Sequence, residues 1–339
     1  MDEFILGIFE NRPVLKSTTL YQLLVGRRTS SVLVYGCLAD LLPFWGLFPR
    51  MSEAAYSQTL DRLEADGRLK KDSTGFYHKT TAGSSLSTEK QEVLAALDNF
   101  RFNKSGELGW RLIRFAIQTA SEYRRKKNFV PLETAPHYTE PVRELIRRLD
   151  ISARKLLYDE LSGFFSALPE PVADNLAACL TGHQINGKAD YQTLSDGLLD
   201  SPWRELAPRS QRQQFMKLVA EQPTTICGRL YLSFAHLDAN QSGLVTRRLF
   251  QEGASMAEVM KQRRLKQGTI NDHLIEWALA DSEFPYRRFC EEDTLQVLRD
   301  LPGDPVAWRY SDTASEKAVD YRTFVLYQIA AKKKVTECF

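Results

Sequence analysis

Cysteine is scarce in this 339-residue chain: Cys37, Cys179, Cys227, Cys290 and Cys338 are scattered singly, with no C-x-x-C pair among them. An odd set of isolated thiols argues against a disulfide framework or a zinc ribbon and fits a reduced, cytosolic setting. Period-two runs of Val, Ile and Thr are nearly absent, which excludes an all-β fold. Long apolar runs are missing too. The best stretch, residues 32–48, is interrupted by Asp40, Pro43 and Gly46 and falls short of the roughly 20 residues a bilayer span needs. The opening Met1-Asp2-Glu3-Phe4 is acidic where a secretory leader is basic, so neither secretion nor a membrane partner is expected.

An excess of one charge is also lacking, with 45 Lys and Arg against 43 Asp and Glu and a formal charge of +2. Any binding of nucleic acid must then come from local patches. No G-x-x-x-x-G-K-[ST] phosphate loop occurs; Asn186-Gly187-Lys188 lacks both the earlier glycine and a following hydroxyl residue, so ATP-driven work by this chain is not expected. The five histidines, His78, His137, His183, His236 and His273, never approach ligand spacing. Asp238-Ala239-Asn240-Gln241-Ser242-Gly243 imitates the start of a calcium loop but reaches Leu249 where the bidentate glutamate belongs. The expectation is a protein without catalytic residues, metal, cofactor or small-molecule substrate.

What is present is helical periodicity. The spacing predicts helices over residues 18–25, 30–42 and from Ser52 through Tyr56, Leu60 and Leu63 to a stop at Gly67. Arg68-Leu69-Lys70-Lys71 and Phe76-Tyr77-His78-Lys79 flank Asp72-Ser73-Thr74-Gly75, a small hairpin. Helices followed by a basic hairpin make a winged-helix-like domain over residues 1–85, with Thr81-Ala82-Gly83-Ser84-Ser85 as linker. Residues 86–236 read as a helical scaffold broken at Pro131, Pro136, Pro141, Pro169, Pro171, Pro202 and Pro223, with Leu156, Leu157, Leu161, Phe164 and Phe165 in its core. Arg124-Arg125-Lys126-Lys127 is its strongest charge run. The fold class is therefore mainly α, with a helix-turn-helix domain over residues 237–339.

That last assignment rests on residues 246–280. Ser255-Met256-Ala257-Glu258 has the form of a capping box, which starts a helix at Met256, while Gly253 stops the preceding one. After Arg263-Arg264-Leu265-Lys266, a third helix carries Ile270 and Leu274 four apart on its inner side. A wedge of this kind displays the outer face of the third helix to a major groove about 12 Å wide. The outer positions are Gln267, Gly268, Asn271, Asp272 and His273. From Thr246 to Leu274 the basic residues Arg247, Arg248, Lys261, Arg263, Arg264 and Lys266 outnumber Glu252, Glu258 and Asp272 by three, which favours phosphate. Asp272 and Glu276 oppose it on the reading face, and Lys266 occupies the cap position without a capping side chain.

The run from Leu249 to Val259, with Arg263-Arg264-Leu265 and Gly268-Thr269-Ile270-Asn271-Asp272-His273-Leu274, resembles the helix-turn-helix module at the carboxyl end of RecQ-type helicases. The module recurs in the YpbB family of low-GC Gram-positive bacteria, which Gly26-Arg27-Arg28-Thr29-Ser30-Ser31 and Phe44-Trp45-Gly46-Leu47-Phe48-Pro49 also resemble. The resemblance implies a cytoplasmic, nucleoid-associated accessory factor of a RecQ-like helicase of the RecS type, acting on DNA in repair or recombination. Arg27, Arg28, Lys70, Lys71, Arg263, Arg264 and Lys266 are the expected phosphate contacts, Gln267 and Asn271 the base contacts, and His273 packs or touches a phosphate. A dimeric, sequence-specific transcription regulator and a pure protein adaptor remain open.

Overall fold

The computed structural model describes residues 1–10, 12–81, 86–123, 129–147, 151–313 and 319–338. Residues 82–85 of the expected linker and the charge run 124–127 lie outside them. The chain is mainly α, with nineteen α-helices and three short strands among the described residues. No helix among these residues is long and apolar enough to cross a membrane.

The amino-terminal elements are α1 (Asp2–Glu10), β1 (Val14–Lys16), α2 (Ser17–Leu24), α3 (Ser30–Leu38), α4 (Glu53–Ala65), β2 (Leu69–Lys71) and β3 (Phe76–Lys79), with sheet order β1-β3-β2. Each start and stop has a local cause. Ser52 Oγ accepts from the Ala55 amide at 3.2 Å and opens α4; Gly67, at φ +68°, takes the left-handed turn that ends it. Asp72 Oδ1 accepts from the amides of Thr74 and Phe76 at 2.9 and 3.0 Å, and Gly75 at φ +83° closes the hairpin. The helix expected over residues 30–42 ends earlier, at Leu38, because Asp40 turns left-handed at φ +54°. α1 and β1 carry no motif that announces them.

The chain groups into two compact units interleaved along the sequence, where three consecutive segments are expected. The first comprises Met1–Val14, Ser57–Lys71 and His78–Asp238. It holds α1, α5 (Thr88–Ala96), α6 (Asn99–Phe102), α7 (Lys104–Glu122), α8 (Pro136–Arg147), α9 (Ile151–Ser166), α10 (Glu170–Ala178), α11 (Trp203–Ala220) and α12 (Ile226–Leu232). Trp110, Phe215, Met216, Cys227 and Tyr231 form its centre, with Trp110 edge-on to Phe215 at 5.2 Å. Gly109 lets α7 approach closely, since a Cβ there would lie 2.7 Å from the Met216 side chain. Gln213 fastens the turn before α7 by donating to Asn99 Oδ1 and the Phe102 carbonyl at 3.1 and 3.2 Å. Two expectations change here. Leu156 is half exposed while Leu157 and Phe164 are buried, because the inner stripe of α9 follows the helical period rather than the run of leucines. Pro141 lies inside α8 rather than breaking it, the helix being held by buried Tyr138 and Val142 four residues apart.

The second unit comprises Leu15–Tyr56, Asp72–Tyr77 and Ala239–Phe339. Its carboxyl-terminal helices are α13 (Gln241–Gln251), α14 (Met256–Arg263), α15 (Gln267–Ala280), α16 (Tyr286–Phe289), α17 (Glu292–Arg299), α18 (Tyr310–Thr313) and α19 (Tyr321–Lys333). α3 explains why an early segment joins them. Its residues are apolar nearly all round, with Val32, Leu33, Val34 and Cys37 all buried, and a helix without a polar face has to be covered from several sides. α2, α15 and α19 provide that cover. Below α13 and α15 an aromatic cluster closes the core: Phe250 meets Phe289 at 5.0 Å and Trp277 meets Phe284 at 5.0 Å, both edge-on.

Candidate nucleic-acid interface

The three helices of the motif are positioned by capping. Asn240 Oδ1 accepts from the Gly243 amide at 3.1 Å and opens α13, so part of the calcium-like hexapeptide is a helix cap. Asp238, its first residue, accepts instead from the amides of Lys104 and Ser105 at 2.8 and 2.9 Å, within the first unit. Gly253, at φ +99°, ends α13, and Arg288 donates to the Phe250 and Ala254 carbonyls left there. The capping box opens α14 as expected, Ser255 Oγ accepting from the Glu258 amide at 3.3 Å while Glu258 Oε2 takes the Ser255 amide at 2.7 Å. The Ser255 amide first, and the Ser255 hydroxyl donating to the same oxygen at 2.7 Å second, hold the Glu258 carboxyl below its ordinary range.

No glycine marks the end of α14. Arg264 itself turns left-handed at φ +52°, and the Leu265 amide reaches back to the Met260 carbonyl at 3.3 Å. This Schellman-type stop throws the Arg264 side chain into solvent. α15 then begins without a side-chain cap at Lys266. Ile270 and Leu274 are fully buried, completing the wedge.

The outer face of α15 is largely occupied. α3, α13 and α19 pack around the helix, and His273, Leu274, Ile275, Trp277, Ala278 and Leu279 are all buried. Asp272 accepts from Ser30 Oγ. Glu276 takes Arg28 Nε at 2.7 Å on one oxygen and Asn240 Nδ2 at 3.0 Å on the other. The guanidinium of Arg28 also lies over the Trp45 ring, 5.1 Å from its centroid. The two carboxylates that oppose phosphate in the sequence are thus tied to α3 and the turn before it.

His273 faces inward, a departure from its expected outer position. Its Nδ1 lies 2.9 Å from Thr246 Oγ1. Burial first, and the Arg263 guanidinium second, push its imidazole below the ordinary range, against the opposite pull of Glu276 and Asp272. Arg263 is likewise internal to the fold, donating to the Ser242 carbonyl at 2.8 Å, to Ser242 Oγ at 2.8 Å and to Thr246 Oγ1 at 3.0 Å. Of the expected phosphate contacts in this unit, Arg27, Arg264 and Lys266 are exposed, and Lys261 joins them. No hydrogen bond or ion pair engages these four side chains among the described residues. Gln267 is exposed and Asn271 half-buried, while Lys70 and Lys71 are exposed on β2 of the first unit.

Residues 242–304 match a family described as a helix-turn-helix domain. Over 292 residues the chain is 23% identical to Protein YpbB of Bacillus subtilis (strain 168), a match covering 83% of this chain and 82% of that protein. No solved structure matches the chain significantly.

Proposed function

We propose that this chain, a relative of Protein YpbB with a helix-turn-helix domain near its carboxyl end, is a non-catalytic accessory factor of a RecQ-like, RecS-type DNA helicase in repair or recombination. It grips nucleic acid by its phosphates. The observation that carries this reading is the set of exposed, uncommitted cations Arg27, Lys261, Arg264 and Lys266 in the unit that contains the motif. A helix that reads a groove has to present successive turns outward, whereas the later turns of α15 are enclosed and its acidic side chains engaged. Contact is therefore limited to the first turn and its cationic surroundings. This disfavours a dimeric sequence reader, and it favours binding that depends strongly on salt and weakly on sequence. Lys70 and Lys71 are further phosphate contacts in the proposal; Arg28, Arg263 and His273 position the motif instead.

The four cations near the motif, with Lys70 and Lys71, make six phosphate contacts and give a slope of log affinity against log salt of about −5.4 on duplex DNA, roughly 0.9 per contact. Fluorescence anisotropy should show that slope, and Arg264→Ala with Lys266→Ala should flatten it by about 1.8. An unchanged slope overturns the assignment. The helicase half is tested separately by unwinding of forked and blunt duplexes by the RecS-type enzyme, with and without this protein. Identical rates and substrate choice sink it.

A further inference from the structure

A cleft of about 490 Å³ opens beside the amino-terminal end of α15. Gln267, Asn271 and Asp272 come to it from α15, Glu291 from the residue before α17, and Tyr321 and Arg322 from the start of α19. Two of its polar atoms are closed off from solvent and make no hydrogen bond: the acceptor Asn271 Oδ1 and the donor Arg322 Nε. The carboxylate paired with Arg322, Asp320, stands 3.7 Å from that nitrogen. Tyr321 is 47% exposed at the mouth of the cleft, its ring meeting Tyr310 edge-on at 5.3 Å.

These features select the guest. Once the Asn271 and Arg322 side chains turn their unpaired atoms toward the cleft, it has to donate to Asn271, accept from Arg322, and be flat enough to lie against the Tyr321 ring. Asp272 and Glu291 add acceptors that call for further N–H groups. An arginine or lysine side chain brings donors only and would sit beside the like charge of Arg322. A phosphate would meet carboxylates. A nucleobase with an exocyclic amino group presents a donor and a ring acceptor side by side on one edge and two flat faces for stacking. Thymine turns two carbonyl oxygens toward the same carboxylates and fits less well.

We infer that this cleft receives one unpaired nucleobase bearing an exocyclic amino group, stacked on Tyr321 and held at its edge by Asn271 and Arg322. The inference rests on the nucleic-acid reading above and deepens it: the phosphate grip beside Lys266 delivers a strand whose base enters the cleft. Gln267 and Asn271 then make base contacts with a single strand rather than in a major groove.

The test is fluorescence anisotropy of the full chain with labelled oligo-dC, oligo-dT and a blunt duplex. Oligo-dC should bind several-fold tighter than oligo-dT. Tyr321→Ala should weaken oligo-dC about tenfold, the size expected for one lost stacking contact, and leave duplex binding unchanged. Tyr321→Phe should restore it. Gln267→Ala, at an exposed position, should narrow the difference between dC and dT. Equal binding of dC and dT, with both insensitive to Tyr321→Ala while the duplex still binds, overturns the base site and leaves the phosphate grip standing. Failure of the wild-type chain to bind any of the three overturns both. Binding of an arginine-rich peptide that is abolished by Tyr321→Ala, with no oligonucleotide effect, assigns the cleft to a basic polypeptide and also overturns the inference.

Discussion

Arg28→Ala isolates the contact that ties α3 to α15. In the native unit its guanidinium donates through Nε and Nη2 to one oxygen of Glu276, with the two side chains only 25% and 12% exposed. Exposed ion pairs contribute about 0–1 kcal/mol, while breaking a fully buried pair costs about 3–5 kcal/mol because the remaining charge is stranded. Here the stranded Glu276 keeps Asn240 Nδ2 at 3.0 Å, and some water reaches the pair. An intermediate loss of about 2 kcal/mol follows. With a urea slope near 3 kcal/mol/M, the unfolding midpoint should fall by about 0.7 M. Tryptophan fluorescence is a suitable readout because Trp45, under the Arg28 guanidinium, and Trp277 both belong to this unit. Arg28→Lys should recover only part, since an ammonium cannot reproduce the two-nitrogen contact. Glu276→Ala combined with Arg28→Ala should be less destabilising than the sum of the two, by about 1 kcal/mol. A midpoint shift below about 0.2 M, or strict additivity, would refute the claim that this pair fastens the motif.

Other outcomes follow from the same geometry. Because the folded-state pKa of His273 is depressed by burial, its contribution is present above the ordinary imidazole value near 6.5. It is lost progressively as pH falls from there toward the depressed folded value. Urea midpoints taken at neutral pH and near pH 5.5 should differ in the wild type, and His273→Gln should shrink that difference; an unchanged difference would place the pH dependence elsewhere. In the first unit, Gly228→Ala would set a Cβ 2.1 Å from the Gln222 carbonyl oxygen, a backbone atom that cannot swing away. A loss of about 2–3 kcal/mol is expected on thermal or urea unfolding, and a neutral substitution would contradict the packing of α12.

Much of the local architecture is legible in the chain because its causes are local. Ser255 and Glu258 three residues apart, the stop at Gly253, the Ser52 cap and the Asp72–Gly75 turn each depend on a hydrogen bond or a backbone angle within a few residues. The stop of α14 was hidden, since Arg264 takes a left-handed angle that composition associates with glycine or asparagine. Asn240 carried a readable signal, a cap three residues before Gly243, inside a hexapeptide that also imitates a calcium loop. The clustering of Trp277, Phe284 and Phe289 had only a run of aromatics to announce it.

The candidate site divides in the same way. Periodicity alone placed Ile270 and Leu274 inside and Gln267 outside. His273 lies three residues after Ile270 and four before Trp277, so the helical period itself carries it to the inner face, where the Thr246 hydroxyl meets it. By itself the sequence determined most of the helices, several of their caps, the motif and the absence of a phosphate loop, because these follow from neighbours along the chain. Only the tertiary structure decided that α3 covers α15, that Arg28 and Ser30 engage Glu276 and Asp272, and that Tyr321 and Arg322 share a cleft with Asn271. Those contacts join residues up to 248 positions apart, and which apolar faces find each other across such distances is settled by the packing of the whole unit.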